Sequence, residues 1–154
     1  MAQLSNSDEL IDSLRVNGGI ELKKASAGSG KTYSLSREYI CTLLKGGQNE
    51  RHYHRHILAV TFTNKATESM KSKIISDLHT IVDRPSDCGF SSYLKEKCGF
   101  ANDRELSKAA RRALNDLLND YGAFSVSTID KFFQKTLKSF ACEIGQSSVY
   151  RVHL

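Results

Sequence analysis

Apolar residues recur at helical spacing in several stretches of the chain and run without interruption in one. Leu10, Ile11 and Leu14 share a helical face and Ser7 stands where an N-cap would, so residues 8–16 read as a short helix. Asn17-Gly18-Gly19 stops it, and 20–24 is a short strand candidate. Over 32–44 the apolar positions Leu35, Tyr39, Ile40, Leu43 and Leu44 fit a helix, which Gly46-Gly47 ends. A charged loop over 48–55 leads to an apolar run over 57–62, the pattern of a strand buried on both faces. Residues 64–82 form a second long helix, with Met70, Ile74, Ile75, Leu78, Ile81 and Val82 apolar, until Arg84-Pro85-Ser86 breaks it. Residues 86–102 carry little pattern beyond a helical turn near Tyr93. A helix over 103–120 places Leu106, Ala110, Ala113, Leu114, Leu117 and Leu118 on one side. A strand over 124–127 follows. Then comes a helix over 129–144 with Phe132, Phe133, Leu137, Phe140 and Ala141 inward and Gly145 as its stop. Residues 149–154 alternate as a strand does.

Strand, loop and helix thus follow one another three times. That order predicts an α/β architecture with a mostly parallel sheet. Parallel sheets present their ligand loops at the carboxyl ends of the strands, so all three strand-to-helix junctions are expected on one sheet edge. Residues 1–19 read as a leading helix and turn, and 20–154 as one domain segment.

Composition changes this picture little. The chain has 154 residues, 40% hydrophobic and 25% charged, as an ordinary globular domain does. No apolar run approaches the ~20 residues that span a bilayer, and the first residues lack the basic and apolar regions of a secretion signal. The net charge of +5 favours a polyanionic partner only weakly. Cys41, Cys88, Cys98 and Cys142 lie far apart in sequence with no C-x-x-C pair, so they read as reduced thiols of a cytoplasmic protein. His52, His54 and His56 alternate before a strand, with no cysteine or acidic partner evident beside them. A polar surface loop describes them better than a metal site.

The first junction carries the clearest chemistry. Ala25-Ser26-Ala27-Gly28-Ser29-Gly30-Lys31-Thr32 fits G-x-x-x-x-G-K-[ST] with alanine in the first position. Small residues let backbone N–H groups wrap phosphates, and Gly28 and Gly30 reach φ values closed to bulkier residues. The Lys31 ammonium can reach the β and γ phosphates, and the Thr32 hydroxyl can ligand Mg²⁺. A helix starting there turns its positive dipole end toward the anion. A chance Gly/Ser turn would not need a strand before it and a helix after it.

The second junction, Thr61-Phe62-Thr63-Asn64-Lys65-Ala66-Thr67-Glu68-Ser69-Met70, closely resembles motif Ia of superfamily 1A DNA helicases, the UvrD/Rep/RecB group. The third, Val126-Ser127-Thr128-Ile129-Asp130-Lys131-Phe132-Phe133, resembles motif Ib. The stretch 22–35 is similar to motif I, in a form nearest the RecB/AddA branch. The resemblance covers about 20–144 and implies a RecA-like P-loop domain. It implies that ATP and Mg²⁺ are cofactors, with Lys31 and Thr32 in catalytic roles. It also implies that Phe62, Thr63, Asn64, Lys65 and Thr128 touch single-stranded DNA. Those residue types suit a single strand: an aromatic ring stacks bases, and hydroxyl, amide and ammonium groups at a helix N-terminus hold phosphates. Phe132 and Phe133 lie on an apolar face that also suits a core. Lys71, Lys73, Lys135 and Lys138 read as solvated.

The same resemblance implies groups not found in this sequence. No apolar strand ends in Asp-Glu, so the carboxylates that hold Mg²⁺ and activate water are missing, and Asp130 belongs to motif Ib. The family's adenine-reading glutamine has only Gln3 ahead of Ala25 as a counterpart, with Asn17 nearer, so preference for adenine is what the resemblance implies. The chain is therefore expected to be the N-terminal part of a longer helicase, truncated before the acidic motif. Its implied partners are single-stranded DNA, the remainder of the helicase chain, and a nuclease subunit or domain of the kind some members of that branch carry; no membrane is among them. Isolated, it is expected to bind nucleotide without hydrolysing it and to self-associate through open sheet edges. A small P-loop kinase or transferase gives the Thr-Phe-Thr-Asn-Lys segment no role. A non-catalytic DNA-binding module would not need the phosphate loop.

Overall fold

The computed structural model describes residues 30–143. The helix expected over 8–16, the strands over 20–24 and 149–154, the loop residues Ala25, Ser26, Ala27, Gly28 and Ser29, and the stop at Gly145 lie outside the described residues, as do the side chains of Lys31 and Ala141. The chain divides into two units, Met1–Lys31 and Thr32–Leu154, and the packing below is that of the second.

Helix α1, Lys31–Gly46, buries Ser36, Tyr39, Ile40, Leu43 and Leu44, one stripe at the i, i+3, i+4, i+7 positions. Leu35, apolar at helical spacing in the sequence, falls off that stripe and is exposed. The helix ends where Gly47 N–H donates to the Leu43 carbonyl at 2.9 Å. Gly46 is required there, because the Tyr53 ring occupies the space a Cβ would take. After a 3₁₀ turn, Tyr53–His56, strand β1 spans only Ala59–Thr61. Helix α2, Asn64–Asp83, buries Met70, Ile74, Leu78, Ile81 and Val82. Pro85 disfavours helical backbone at Arg84, which caps α2 and opens a 3₁₀ turn, Pro85–Asp87.

Helix α3, Ser91–Cys98, occupies the stretch that carried little pattern, and Gly99 ends it at φ 75°. Its buried face is Ser91, Leu94 and Cys98, so only leucine gives a strong apolar signal. Helix α4 spans Asp103–Asn119. The Asn102 side chain accepts from Glu105 N–H at 3.0 Å, and the Glu105 carboxylate accepts from Ala101 N–H at 3.0 Å, a reciprocal lock related to the capping box. Leu106, Ala109, Ala110, Leu114 and Leu117 are buried, whereas Leu118, expected on that side, is exposed. Strand β2 is Val126–Thr128 and helix α5 is Ile129–Glu143.

Among the described residues the sheet is two parallel strands in register Ala59↔Val126, Val60↔Ser127, Thr61↔Thr128. The result is a helix-rich α/β segment. Its core lies between α2 and α4, the most extensive helix packing, and extends to the strands through α2. Two expectations fail. Strand β1 is not buried on both faces: Val60 is 41% exposed, because among the described residues one face of so narrow a sheet lacks full cover. The α5 residues expected inward are not: Phe133, Leu137 and Phe140 are exposed and Phe132 is half-buried, since no described element packs over that stripe.

The histidine tract is also corrected. His54 is completely buried, so the tract is not simply a polar surface loop. His54 Nε2 lies 3.2 Å from the Asp120 carboxylate, which also accepts from Arg55 Nε at 2.6 Å. His56 Nε2 lies 2.9 Å from Glu50, so acidic partners are at hand. The Arg55 hydrogen bond, reinforced by His54, holds the Asp120 carboxyl below its usual range. The fold also brings Cys41 and Cys98 together, with Sγ atoms 3.8 Å apart and both thiols free. Burial, then the neighbouring Cys41, pushes the Cys98 thiol up to about 12.

Candidate nucleic-acid interface

The parallel register sets the two described strand-to-helix junctions side by side, since Thr61 pairs with Thr128 at the carboxyl ends of both strands. At the first junction a cluster of threonines fixes the turn. The Thr61 hydroxyl donates to the Thr63 carbonyl at 3.1 Å and lies 2.7 Å from the Thr67 hydroxyl. Thr67 N–H donates to the same carbonyl at 3.0 Å. Thr63 is the N-cap of α2, and its side-chain oxygen accepts from Ala66 N–H at 3.1 Å.

Held this way, Phe62 stands 86% exposed between the strand and the helix. Burying such a ring is ordinarily worth about 1.5–3 kcal/mol, so its display is a cost that a ligand could offset. Thr63, Asn64 and Lys65 are exposed beside it. Helix geometry leaves the Asn64 and Lys65 N–H groups without intrahelical acceptors, and no acidic residue sits in the first turn of α2. The positive end of the helix dipole is therefore uncompensated, with an ammonium beside it.

The second junction is built differently. Thr128 is only 6% exposed, and its hydroxyl accepts from Lys131 N–H at 3.3 Å. Asp130 lies exposed in the first turn of α5 and opposes an incoming anion. Phe62, Thr63, Asn64 and Lys65 thus come together as an open group, and Thr128 lies buried beside them. Within residues 25–32, Gly30 has a φ of 75°, a conformation that favours glycine, and α1 begins at the next residue. The first turn of α1 carries no acidic residue, and Thr32 is exposed.

Near the strands a cavity of about 500 Å³ is lined in part by Arg55, Lys71, Lys131 and Lys135. Two of these are engaged already. Arg55 holds Asp120, and Lys71 lies over the Tyr121 and Phe124 rings, 5.0 and 5.3 Å from their centroids. Lys73 donates to Asp77 at 2.7 Å, so neither Lys71 nor Lys73 is merely solvated. Sequence reasoning missed Thr61 and Thr67 as the residues that hold Phe62 out. Their spacing around Thr63 was the available signal.

Residues 12–152 match the model of the UvrD/REP helicase N-terminal domain. The chain belongs to the UvrD/REP helicase family. It is 33% identical to the RecB subunit of the RecBCD enzyme of Haemophilus influenzae, over 82% of this chain and 11% of that protein. It is 26% identical to an ATP-dependent helicase/nuclease subunit of Streptococcus pyogenes, over 92% of this chain and 10% of that protein. A third relative, RecB of Buchnera aphidicola, is 33% identical over 78% of this chain and 10% of its own length. The chain thus spans about a tenth of the UvrD/REP relatives it matches. No solved structure matches it significantly. No helix among the described residues is long and apolar enough to cross a membrane.

Proposed function

We propose that this chain is the nucleotide-binding and single-strand-contacting segment of an ATP-dependent DNA helicase of the UvrD/RecB type. The observation that carries the reading is the junction at Thr61–Lys65. It combines an exposed ring, a helix N-terminus free of acid, and an ammonium. A single strand needs such a set, with bases stacking on the ring and phosphates meeting the donors. Family membership and the words ATP-dependent helicase in a relative's name point the same way.

The residues present fit a nucleoside triphosphate. Gly30 in the left-handed region and an acid-free first turn of α1 support a phosphate cradle at this helix N-terminus. In this reading Ala25–Thr32 wraps the phosphates, Lys31 neutralises them and Thr32 supplies a hydroxyl to Mg²⁺. In the full-length helicase, hydrolysis of ATP would supply the free energy for movement along the strand. Phe62, Thr63, Asn64 and Lys65 grip the strand, while Thr128 keeps the adjoining junction in place. The remainder of the helicase chain, and a nuclease subunit or domain, are the expected protein partners.

Two titrations test the reading. Lys31→Ala should abolish binding of a fluorescent ATP analogue, and oligo-dT should bind with a salt-dependent affinity. An unchanged analogue affinity overturns the nucleotide assignment, and salt-independent or absent oligo-dT binding overturns the strand assignment.

A further inference from the structure

Helix α4 carries its charges in an ordered way that the strand-contacting junction does not use. Leu106, Ala110 and Leu117 are fully buried on one side. Arg104, Lys108 and Arg111 are exposed on the other, at i, i+4 and i+7, with Arg112 beside them. Among the described residues none of these four makes an ion pair. The acids of the same helix are occupied elsewhere. Asp103 accepts from Lys95 at 2.7 Å, Glu105 caps the helix start, and Asp116 lies 3.8 Å from Arg51.

We infer that the solvent face of α4 is a second nucleic-acid surface, one that tracks the phosphate backbone of duplex DNA. The inference rests on the helicase reading and extends it to the unopened substrate. At 1.5 Å rise per residue, Arg104 to Arg111 lays positive charge along about 10 Å, a length over which a duplex presents several phosphates. The helix contains no aromatic residue, so it offers no platform for unpaired bases. That absence favours a duplex, whose bases are already stacked, over a single strand. Charge, length and missing ring together distinguish this face from the Phe62 junction.

The test uses the 154-residue chain and the variant R104Q/K108Q/R111Q, with circular dichroism to confirm the fold. Anisotropy titrations over a salt series use a blunt DNA duplex, oligo-dT and polyglutamate as probes. The variant should lose on the order of tenfold or more in duplex affinity. Its log–log salt slope should fall by about 3, near 0.9 for each phosphate no longer neutralised. Oligo-dT affinity should stay within about twofold. Unchanged duplex affinity and slope overturn the inference, as does no duplex binding by the parent chain. Equal losses on duplex and oligo-dT, or a loss confined to polyglutamate, also overturn it. Failure of the helicase reading looks different: Phe62→Ala would leave oligo-dT binding unchanged whatever the duplex result.

Discussion

Two strand-to-helix junctions stand on one sheet edge, and each places threonine at the start of a helix. At the first, Thr61, Thr63 and Thr67 brace one another, and the braced turn holds Phe62 outward. At the second, Thr128 turns inward to accept from the Lys131 N–H, and Asp130 stands at the helix start. Topology therefore brings two candidate contacts together, and only the side chains decide which is open to a ligand. In the proposed reading the first binds the strand and the second holds the sheet edge in shape.

The largest expected difference between them comes from Phe62→Ala. Losing one stacking ring should weaken oligo-dT binding by about 1–3 kcal/mol, roughly 5- to 150-fold. Stability should change by less than about 0.5 kcal/mol, because the ring is exposed. Thr128→Val should do the reverse. It removes a buried acceptor from a helix N–H and should lower unfolding stability by about 1–2 kcal/mol in urea titration. Binding by the folded fraction should be unaffected. A large binding loss in Thr128→Val at full stability would erase the distinction between the junctions.

Smaller effects sharpen it. Asp130→Asn removes a favourable charge–dipole contact, worth about 0.3–1 kcal/mol of stability. It also removes repulsion of phosphate, so strand affinity should rise slightly as stability falls. The same charge removal has no counterpart at the first junction, where no acid sits in the first turn. The smallest effect concerns the Asp120 anchor of the loop before β1. Its carboxyl is held below the usual value of 3.8, so the contribution it makes to stability is present above that pH. That contribution disappears as pH falls through the lower folded value. The stability difference between the parent chain and Asp120→Asn should therefore be present at neutral pH and vanish in acid.

The long helices were legible because their buried stripes repeat over several turns. Tyr39, Ile40, Leu43 and Leu44 in α1, and Met70 through Val82 in α2, show the period plainly. Helix α3 was not, since Ser91 and Cys98 bury as well as leucine does without announcing it. Periodicity also marked the apolar stripe of α5 without revealing whether anything covers it, and Phe133, Leu137 and Phe140 are open. His54 shows a different limit. Its partner Asp120 lies 66 residues away, so no local reading could place it in the interior. At the candidate interface the residue types at 62–65 were legible as candidate ligand groups. Their separation from the buried Thr128 was not, because Thr63 and Thr128 both stand at a strand-to-helix junction in the sequence.

The most direct measurement is photocrosslinking of an oligo-dT carrying a photoreactive thymine to the chain, with the adduct located by peptide mass spectrometry. An adduct is expected on Phe62 and none on the buried Thr128. Adducts that avoid the peptide containing Phe62 and fall elsewhere would contradict it.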